Sequence, residues 1–361
     1  MSYRSAILGC GPRGKHHAEV YPDIPNMDLV ACCDLDGSRR DAFAKAFSIP
    51  ATYADVDEMV AKERLDVVHL VTQPDVRLDV ITSLAEAGVP AIIVEKPLTL
   101  WPSEAVKIEE LAARTGCKVI VNTQRRYFPQ YPAIRDLIRS GQVGEVDFVR
   151  ASTWGGPLAM GPHLMDLVMM VLDDEPPEAV WATAEGLEGY EWSHAAPSHV
   201  MATFWLADER RVFWECSPRG MGTRGETQYW MHLHLDVWCT EGVIWAEQVG
   251  TWGYQIRGEA EVFSEPASWW DQSVPGQRDF TAAVGDWLDD PSKPHECRLE
   301  TALPVMRSIF GALKSAKLGH RISLEDREQF ILDASQPGRT VTVSGGVTDN
   351  DLKSLRNNLP R

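Results

Sequence analysis

The chain has 361 residues, 44% of them hydrophobic and 24% charged, which suits two packed domains and excludes a disordered polymer. Its 52 acidic side chains against 35 Lys and Arg leave a formal charge of −17, a field that repels nucleic acid and anionic membranes, so neither is an expected partner. No apolar run reaches the length of a membrane span and the first residues lack a secretory layout, so a cytoplasmic location is expected.

In chain order, YRSAILGCG (3–11) predicts a strand and residues 12–21 a helix opening at proline. MDLVACCDL (27–35) predicts a second buried strand, and GSRRDAFAKAF (37–47) and VDEMVAKE (56–63) predict helices. LDVVHLVTQP (65–74) and PAIIVEKP (90–97) are strands stopped by proline, with a helix at 76–88 between them. A helix at 103–116 and a strand at 118–124 complete the alternation. This pattern predicts an α/β fold, with right-handed crossovers and a parallel sheet covered on both faces. After a helix at 131–141 the pattern changes. Six strands are predicted at 144–154, 178–186, 198–206, 210–218, 229–240 and 242–249, several alternating at period two as half-buried strands do. Helices return at 277–288 and 300–319. The expected division is 1–122, 123–334 with a large, mostly antiparallel open sheet, and a tail 335–361 that is flexible or an arm on a neighbouring subunit.

The turn ILGCGPRGKHH joins the first strand to the first helix. Gly9 permits the turn, Gly11 lets backbone approach a pyrophosphate, and Gly14 lets helix and strand pack closely, with Pro12 and Arg13 at the rim. Asp34 stands twenty residues after Gly14, at the end of the second strand. A carboxylate there accepts hydrogen bonds from ribose hydroxyls and repels a 2′-phosphate, so NAD is favoured over NADP. Arg39 and Arg40 weaken that preference. Thr72, Gln73 and Pro74, at the next strand end, and Asn122 are further expected cofactor contacts. His16 and His17 are adjacent and cannot form an i, i+4 metal pair, so they read as helix residues. Seven scattered cysteines without a CxxC pair read as buried reduced thiols, and no metal is expected.

Glu95 and Lys96 lie at the carboxyl end of an apolar strand, where open α/β sheets bind their ligands. Desolvation there depresses a lysine's pKa and fits it to take a proton from a hydroxyl; the bland reading is a structural ion pair. In GPHLMDL, His163 and Asp166 share one helix face, so Asp166 either orients the imidazole or favours the helix N-terminus. His232 and His234 share one face of a strand and either point into a polar cleft or join a hydrogen-bonded core. Most of the thirteen tryptophans lie between Trp154 and Trp287. They are packing residues, interface anchors or sugar-stacking faces, and Trp269 and Trp270 mark a candidate cleft loop. Arg219 and Arg224 could meet an anionic substituent.

Together GCGPRG, DLDGSRR, VEKPLTL, NTQRRYFPQYPAIRDLIRSGQVGEV, GPHLMDL and LETALPVMRSIFGALKSAKLGHRISL resemble, in order and spacing over residues 1–324, the Gfo/Idh/MocA family of NAD(P)-dependent oxidoreductases. The resemblance implies a Rossmann domain followed by an α/β domain whose open sheet packs on another subunit, giving a homodimer or homotetramer. It implies a sugar, polyol or related substrate, with Lys96 as the proton-transfer residue, Glu95 near the nicotinamide ribose and His163 as the active-site histidine. Arg126 and Tyr127 fall in the segment bordering the cleft, and Trp154 and His234 are further expected substrate contacts. Many dehydrogenases of the family carry Asp-x-Gly-x-His; here the segment is AMGPH, with Ala159 in the carboxylate's position. Three activities follow as alternatives. One is dehydrogenation of a secondary alcohol. Another is redox-neutral glycoside cleavage by transient oxidation, elimination, hydration and re-reduction. The third is non-catalytic sensing of NAD(H).

Overall fold

In the computed structural model, residues 2–186, 196–197, 199–218 and 228–325 are described; the tail expected at 335–361, Arg219 and Arg224 lie outside the described residues. The first sheet contains β1 (Tyr3–Leu8), β2 (Met27–Cys33), β3 (Ala51–Tyr53), β4 (Val67–Leu70), β5 (Ala91–Val94) and β6 (Lys118–Val121), all parallel. Its order is β3-β2-β1-β4-β5-β6. Every residue of β4 and β5 is buried, as the uninterrupted apolar runs require of strands covered on both faces. The covering helices are α1 (Pro12–Ala18), α2 (Gly37–Phe47), α3 (Val56–Lys62), α4 (Arg77–Glu86) and α5 (Pro102–Thr115). Local chemistry sets their ends. Asp36 and Asp55 cap α2 and α3 by accepting from the Arg39 and Glu58 amides, and α5 stops at Gly116 with φ +75°. From the edge strand β3 the chain returns to β4, beside β1. The order therefore reverses between β1 and β4, which is where such sheets open a crevice at the strands' carboxyl ends.

After α6 (Gln130–Arg139) comes the second sheet, formed by β7 (Val146–Thr153), β8 (Ala179–Glu185), β9 (His199–Trp205), β10 (Arg211–Cys216), β11 (Leu233–Cys239), β12 (Gly242–Glu247), β13 (Gly250–Ile256), β14 (Val262–Ala267) and β15 (Ile322–Ser323). Its order is β14-β13-β12-β11-β7-β10-β9-β8-β15, antiparallel except for the β10–β7 pair. α7 (Gly161–Val171) is buried at every position, as a helix apolar all round must be. The last two helices are α8 (Trp269–Asp289) and α9 (Leu299–Leu318). On the other face of the sheet Trp238 stacks on Phe148 (5.6 Å, 6°), and Trp181, Met201 and Phe213 are exposed.

Three expectations change. The strand expected at 229–240 splits into a short helical turn, Tyr229–Met231, and β11, which leaves His232 outside the strand. The helix expected at 277–288 starts eight residues earlier, so Trp269 and Trp270 form its first turn rather than a loop. β13 and β14 were unanticipated, because Gly250, Gly253 and Pro266 break the alternating pattern; Pro266 sits on the edge strand, where a missing N–H is tolerated.

The C-terminal helices return to the first sheet. Val121 donates its amide to the Cys297 carbonyl at 2.9 Å, and Ile120 pairs with Arg298 on the outer edge of β6. Phe280, Val284 and Cys297 fill the same apolar cluster as Tyr21, Ile24, Ile93 and Ile120.

Candidate active site

The glycine turn lies at the reversal point. Gly9 has φ +105°, and a Cβ there would lie 2.4 Å from the Val71 carbonyl oxygen at the end of β4. A Cβ on Gly14 would lie 2.1 Å from the Gly9 oxygen, so only glycine lets α1 sit this close to β1. Gly11 faces open space, with no atom within 4 Å of such a position, which leaves its backbone bare for a phosphate. Asp34 braces this turn. Its carboxylate accepts from the Cys10 amide at 2.8 Å and the Asp36 amide at 2.9 Å. Arg39 lies 3.5 Å from Asp34 and 3.6 Å from Asp36, and Arg40 donates to the Asp34 carbonyl at 2.8 Å. Both arginines are thus engaged by the acidic segment, which strengthens the case for a ribose without a 2′-phosphate.

Beside the turn is a cavity of about 590 Å³ whose walls include Arg13, Thr72, Gln73, Pro74, Lys96 and Ala159. Lys96 follows β5, and its Nζ donates to the Ala159 carbonyl at 2.8 Å. Burial pushes its ammonium down to about 8, opposed by Glu95 and assisted by Arg13, Arg125 and Arg77. Glu95 is buried behind it. Its Oε1 accepts from Arg13 (2.7 Å), Asn122 (2.8 Å) and His17 (3.1 Å). Burial works against the charged form, but Arg13, the His17 bond and Lys96 hold the carboxyl well below its usual range. Arg77, also buried, donates to the Thr72 carbonyl at 2.7 Å and to the carbonyls of Glu95 and Pro97, fastening the ends of β4 and β5 together.

His163, in the first turn of α7, is buried, and its Nδ1 finds no partner among the described residues. Burial, with the cations of Arg125 and Lys96, pushes its pKa well below the usual value and keeps the ring neutral. Asp166 does not orient it. That carboxylate accepts from Arg126 Nε at 2.9 Å, and Arg126 also meets Asp174 at 2.7 Å. Arg126 is therefore an interior tie rather than a cleft residue. Tyr127 packs on Phe280 and His295, its hydroxyl 3.3 Å from His295 Nε2.

Asn122 is fully buried behind the cavity wall, its amide nitrogen spent on Glu95 and its oxygen accepting from Gln277 at 3.3 Å. It braces Glu95, which is a different task from touching a cofactor. His17, read as a helix residue, is likewise buried beneath Glu95. His234 shares a strand face with Asp236 and Trp238, opposite buried Leu233, Leu235 and Val237, and it pairs with Asp236 at 3.0 Å. That places it on the open sheet face, away from the cavity. Trp154 lies against His232 (4.7 Å). Trp269 packs on Phe128 and under the Arg125 guanidinium (5.2 Å), whereas Trp270 is 74% exposed. Sequence reasoning missed Arg77 and Arg125, two ordinary charges until folding buries them, and the Ala159 carbonyl, which no side-chain pattern reveals. Among the described residues no group of three His, Cys, Asp or Glu could hold a metal ion, and no helix is long and apolar enough to cross a membrane. The seven cysteines are buried and unpaired.

A parallel sheet with a bare glycine turn at its reversal point, followed by a large mixed sheet, defines a two-domain dinucleotide-binding protein. Residues 3–123 match the Gfo/Idh/MocA family profile, described as "Oxidoreductase family, NAD-binding Rossmann fold". The chain is 31% identical over 150 residues to a D-apiose dehydrogenase of Paraburkholderia graminis, covering 42% of this chain and 40% of that one. It is 32% identical over 198 residues to an inositol 2-dehydrogenase of Rhizobium meliloti, covering 51% and 59%. The chain thus spans about half the length of the curated relatives it matches. The fold is similar to that of scyllo-inositol dehydrogenase from Lactobacillus casei, solved with NAD(H) and scyllo-inositol (TM-score 0.73, 17% identity, 90% of this chain and 99% of that one).

Proposed function

We propose that the protein is an NAD-dependent dehydrogenase of a polyol or sugar secondary alcohol, with Lys96 as its proton-transfer residue. The observation that carries this reading is the position of Lys96. A desolvated amine stands at the strand end beside the glycine turn, its pKa lowered to about 8. Gly9, Gly11, Gly14 and Asp34 fit a dinucleotide, since the turn is closed by protein at Gly9 and Gly14 and open at Gly11. Bound there, the nicotinamide supplies hydride acceptance or return. Lys96, uncharged, takes the hydroxyl proton during oxidation and gives it back during reduction. The Ala159 carbonyl holds Nζ at 2.8 Å without adding charge, which leaves Glu95 as the carboxylate that opposes the desolvation. His163 stays neutral beside Lys96, its Nδ1 buried and unspent, as the site's second polar group. The named activities of the relatives, on apiose and inositol, support the substrate class. The exposed aromatic face of the second sheet is read as the contact with a second copy, in a homodimer or homotetramer. Seven unpaired thiols fit a reducing, cytoplasmic setting.

The test is a panel of inositols, aldoses and alditols with NAD, followed by absorbance of the reduced nicotinamide. Turnover is expected, and Lys96→Met lowers kcat by about a hundredfold or more while NADH still binds. Solvent deuterium in a sugar product without net reduced cofactor would move the reading to redox-neutral glycoside cleavage. NADH binding with no turnover of any kind would move it to a sensor.

A further inference from the structure

Beneath Glu95 runs a line of buried polar groups that the proposed reaction leaves unused. The Tyr21 hydroxyl lies 2.7 Å from His69 Nε2, His69 Nδ1 lies 2.8 Å from His17 Nδ1, and His17 Nε2 lies 3.1 Å from Glu95 Oε1. Both rings are fully buried. We propose that His17 is a positioning residue for Lys96: locked as its Nε2–H tautomer by the Tyr21–His69 pair, it pins the Glu95 carboxylate behind the lysine. This rests on the reading of Lys96 as the proton-transfer group.

The direction of every proton follows from one end. An ionised carboxylate only accepts, so His17 Nε2 donates to it and His17 Nδ1 carries a lone pair. The nitrogen facing that lone pair, His69 Nδ1, must then carry a hydrogen. His69 Nε2 is left to accept from the Tyr21 hydroxyl. Protonating His17 would set its new Nδ1–H against the His69 Nδ1–H across 2.8 Å, protonating His69 would set a new Nε2–H against the Tyr21 hydroxyl hydrogen at 2.7 Å until that hydroxyl turned, and burial disfavours the charge at both rings. In the reverse chain, with Tyr21 as acceptor, the His17 Nε2 lone pair could accept from the Asn122 amide at 3.1 Å, but it would also face the Glu95 carboxylate oxygen at 3.1 Å, a repulsion between two acceptors that the assigned direction avoids. The groups facing Glu95 are Arg13, His16, His17, His69, Lys96, Arg77 and His163. Of the donors on its Oε1, Arg13 is 40% exposed, so solvent screens that pair; His17 and Asn122 are the dry ones.

The experiment has two parts. Nitrogen-15 NMR of histidine-labelled protein, assigned with His17→Gln and His69→Gln, reads the tautomers. His17 protonated on Nε2 alone and His69 on Nδ1 alone from pH 5 to 8 is expected; the reverse pattern or an imidazolium overturns the proposal. Carbon-13 NMR of Glu-labelled protein, assigned with Glu95→Gln, then follows the carboxyl. In His17→Leu its titration midpoint is expected a unit or more above the native one, and in His17→Gln, which can both donate and accept, it returns. A midpoint unmoved in His17→Leu overturns the proposal, and if that variant does not fold, a midpoint raised in the folded His17→Gln does so. Turnover separates the two readings. In His17→Leu, kcat at pH 8 is expected to fall about tenfold below the native value with KM for NAD little changed, and to recover in His17→Gln, whereas native protein without turnover on any alcohol would sink the dehydrogenase reading and leave the tautomer assignment of His17 standing.

Discussion

Replacing Ala159 by Asp puts a carboxylate at the exposed position whose backbone carbonyl holds Lys96 Nζ at 2.8 Å. Two unit charges about 5 Å apart at an effective dielectric of about 20 attract by about 3 kcal/mol, equivalent to about two pKa units. Solvent at an exposed site removes about half of that. The lysine, now pushed down to about 8, then titrates about one unit higher. Oxidation needs the uncharged amine, so the rate rises as pH passes the lysine's pKa, and raising that pKa postpones the rise. At pH 7.5 about a quarter of the native lysines are uncharged against about one in thirty in the variant, a loss of about eightfold in kcat/KM. The assay is the pH profile of kcat/KM for polyol oxidation from pH 6 to 10, for both proteins, at saturating NAD. A limb that stays near its native position, or moves to lower pH, refutes the argument that the neutral carbonyl leaves desolvation in control of Lys96.

Gly14→Ala places a methyl 2.1 Å from the Gly9 oxygen; the helix must shift, lowering stability by about 1–3 kcal/mol and weakening NADH binding, read by thermal melting and nicotinamide fluorescence. Arg126→Met leaves the buried Asp166 carboxylate without its partner, at a cost of about 3–5 kcal/mol in denaturant unfolding. Burial already raises the Asp166 pKa, so the variant binds a proton more tightly folded than unfolded and should regain stability as pH falls; a loss that grows toward acid would contradict this. Asp34→Ser removes the carboxylate that holds the Cys10 amide and engages Arg39, so the preference for NAD over NADP should shrink by about tenfold, one bond's worth, in fluorescence titrations.

The first sheet was legible because its signals are local: each apolar run ends at a proline or glycine, and the turn residues sit where the strand order reverses. Glu95 and Lys96 were legible for the same reason, as two charges at the end of AIIV. What stayed hidden involves contacts between distant segments. His17 looks like any helix residue until His69, Glu95 and Asn122 close around it from three separate strand ends. Arg126 and Asp166 each had a plausible site role in sequence, and their pairing with one another cancels both. The AMGPH segment posed the sharpest question, and its answer lies in the backbone: a carbonyl stands where a side chain was sought, an acceptor that every residue type carries and no letter records.

The return of residues 280–298 to the first sheet has a consequence for synthesis. A ribosome that has released residues 1–122 has made a sheet with β6 uncovered at its edge and an apolar cluster lacking Phe280, Val284 and Cys297. Bare edges invite strand addition from other chains. The nascent nucleotide domain must therefore wait for some 175 more residues, about ten to thirty-five seconds at ordinary elongation rates, before its last strand is covered. The slow stretch between the two ends of one small core is where a holding chaperone has the most to do.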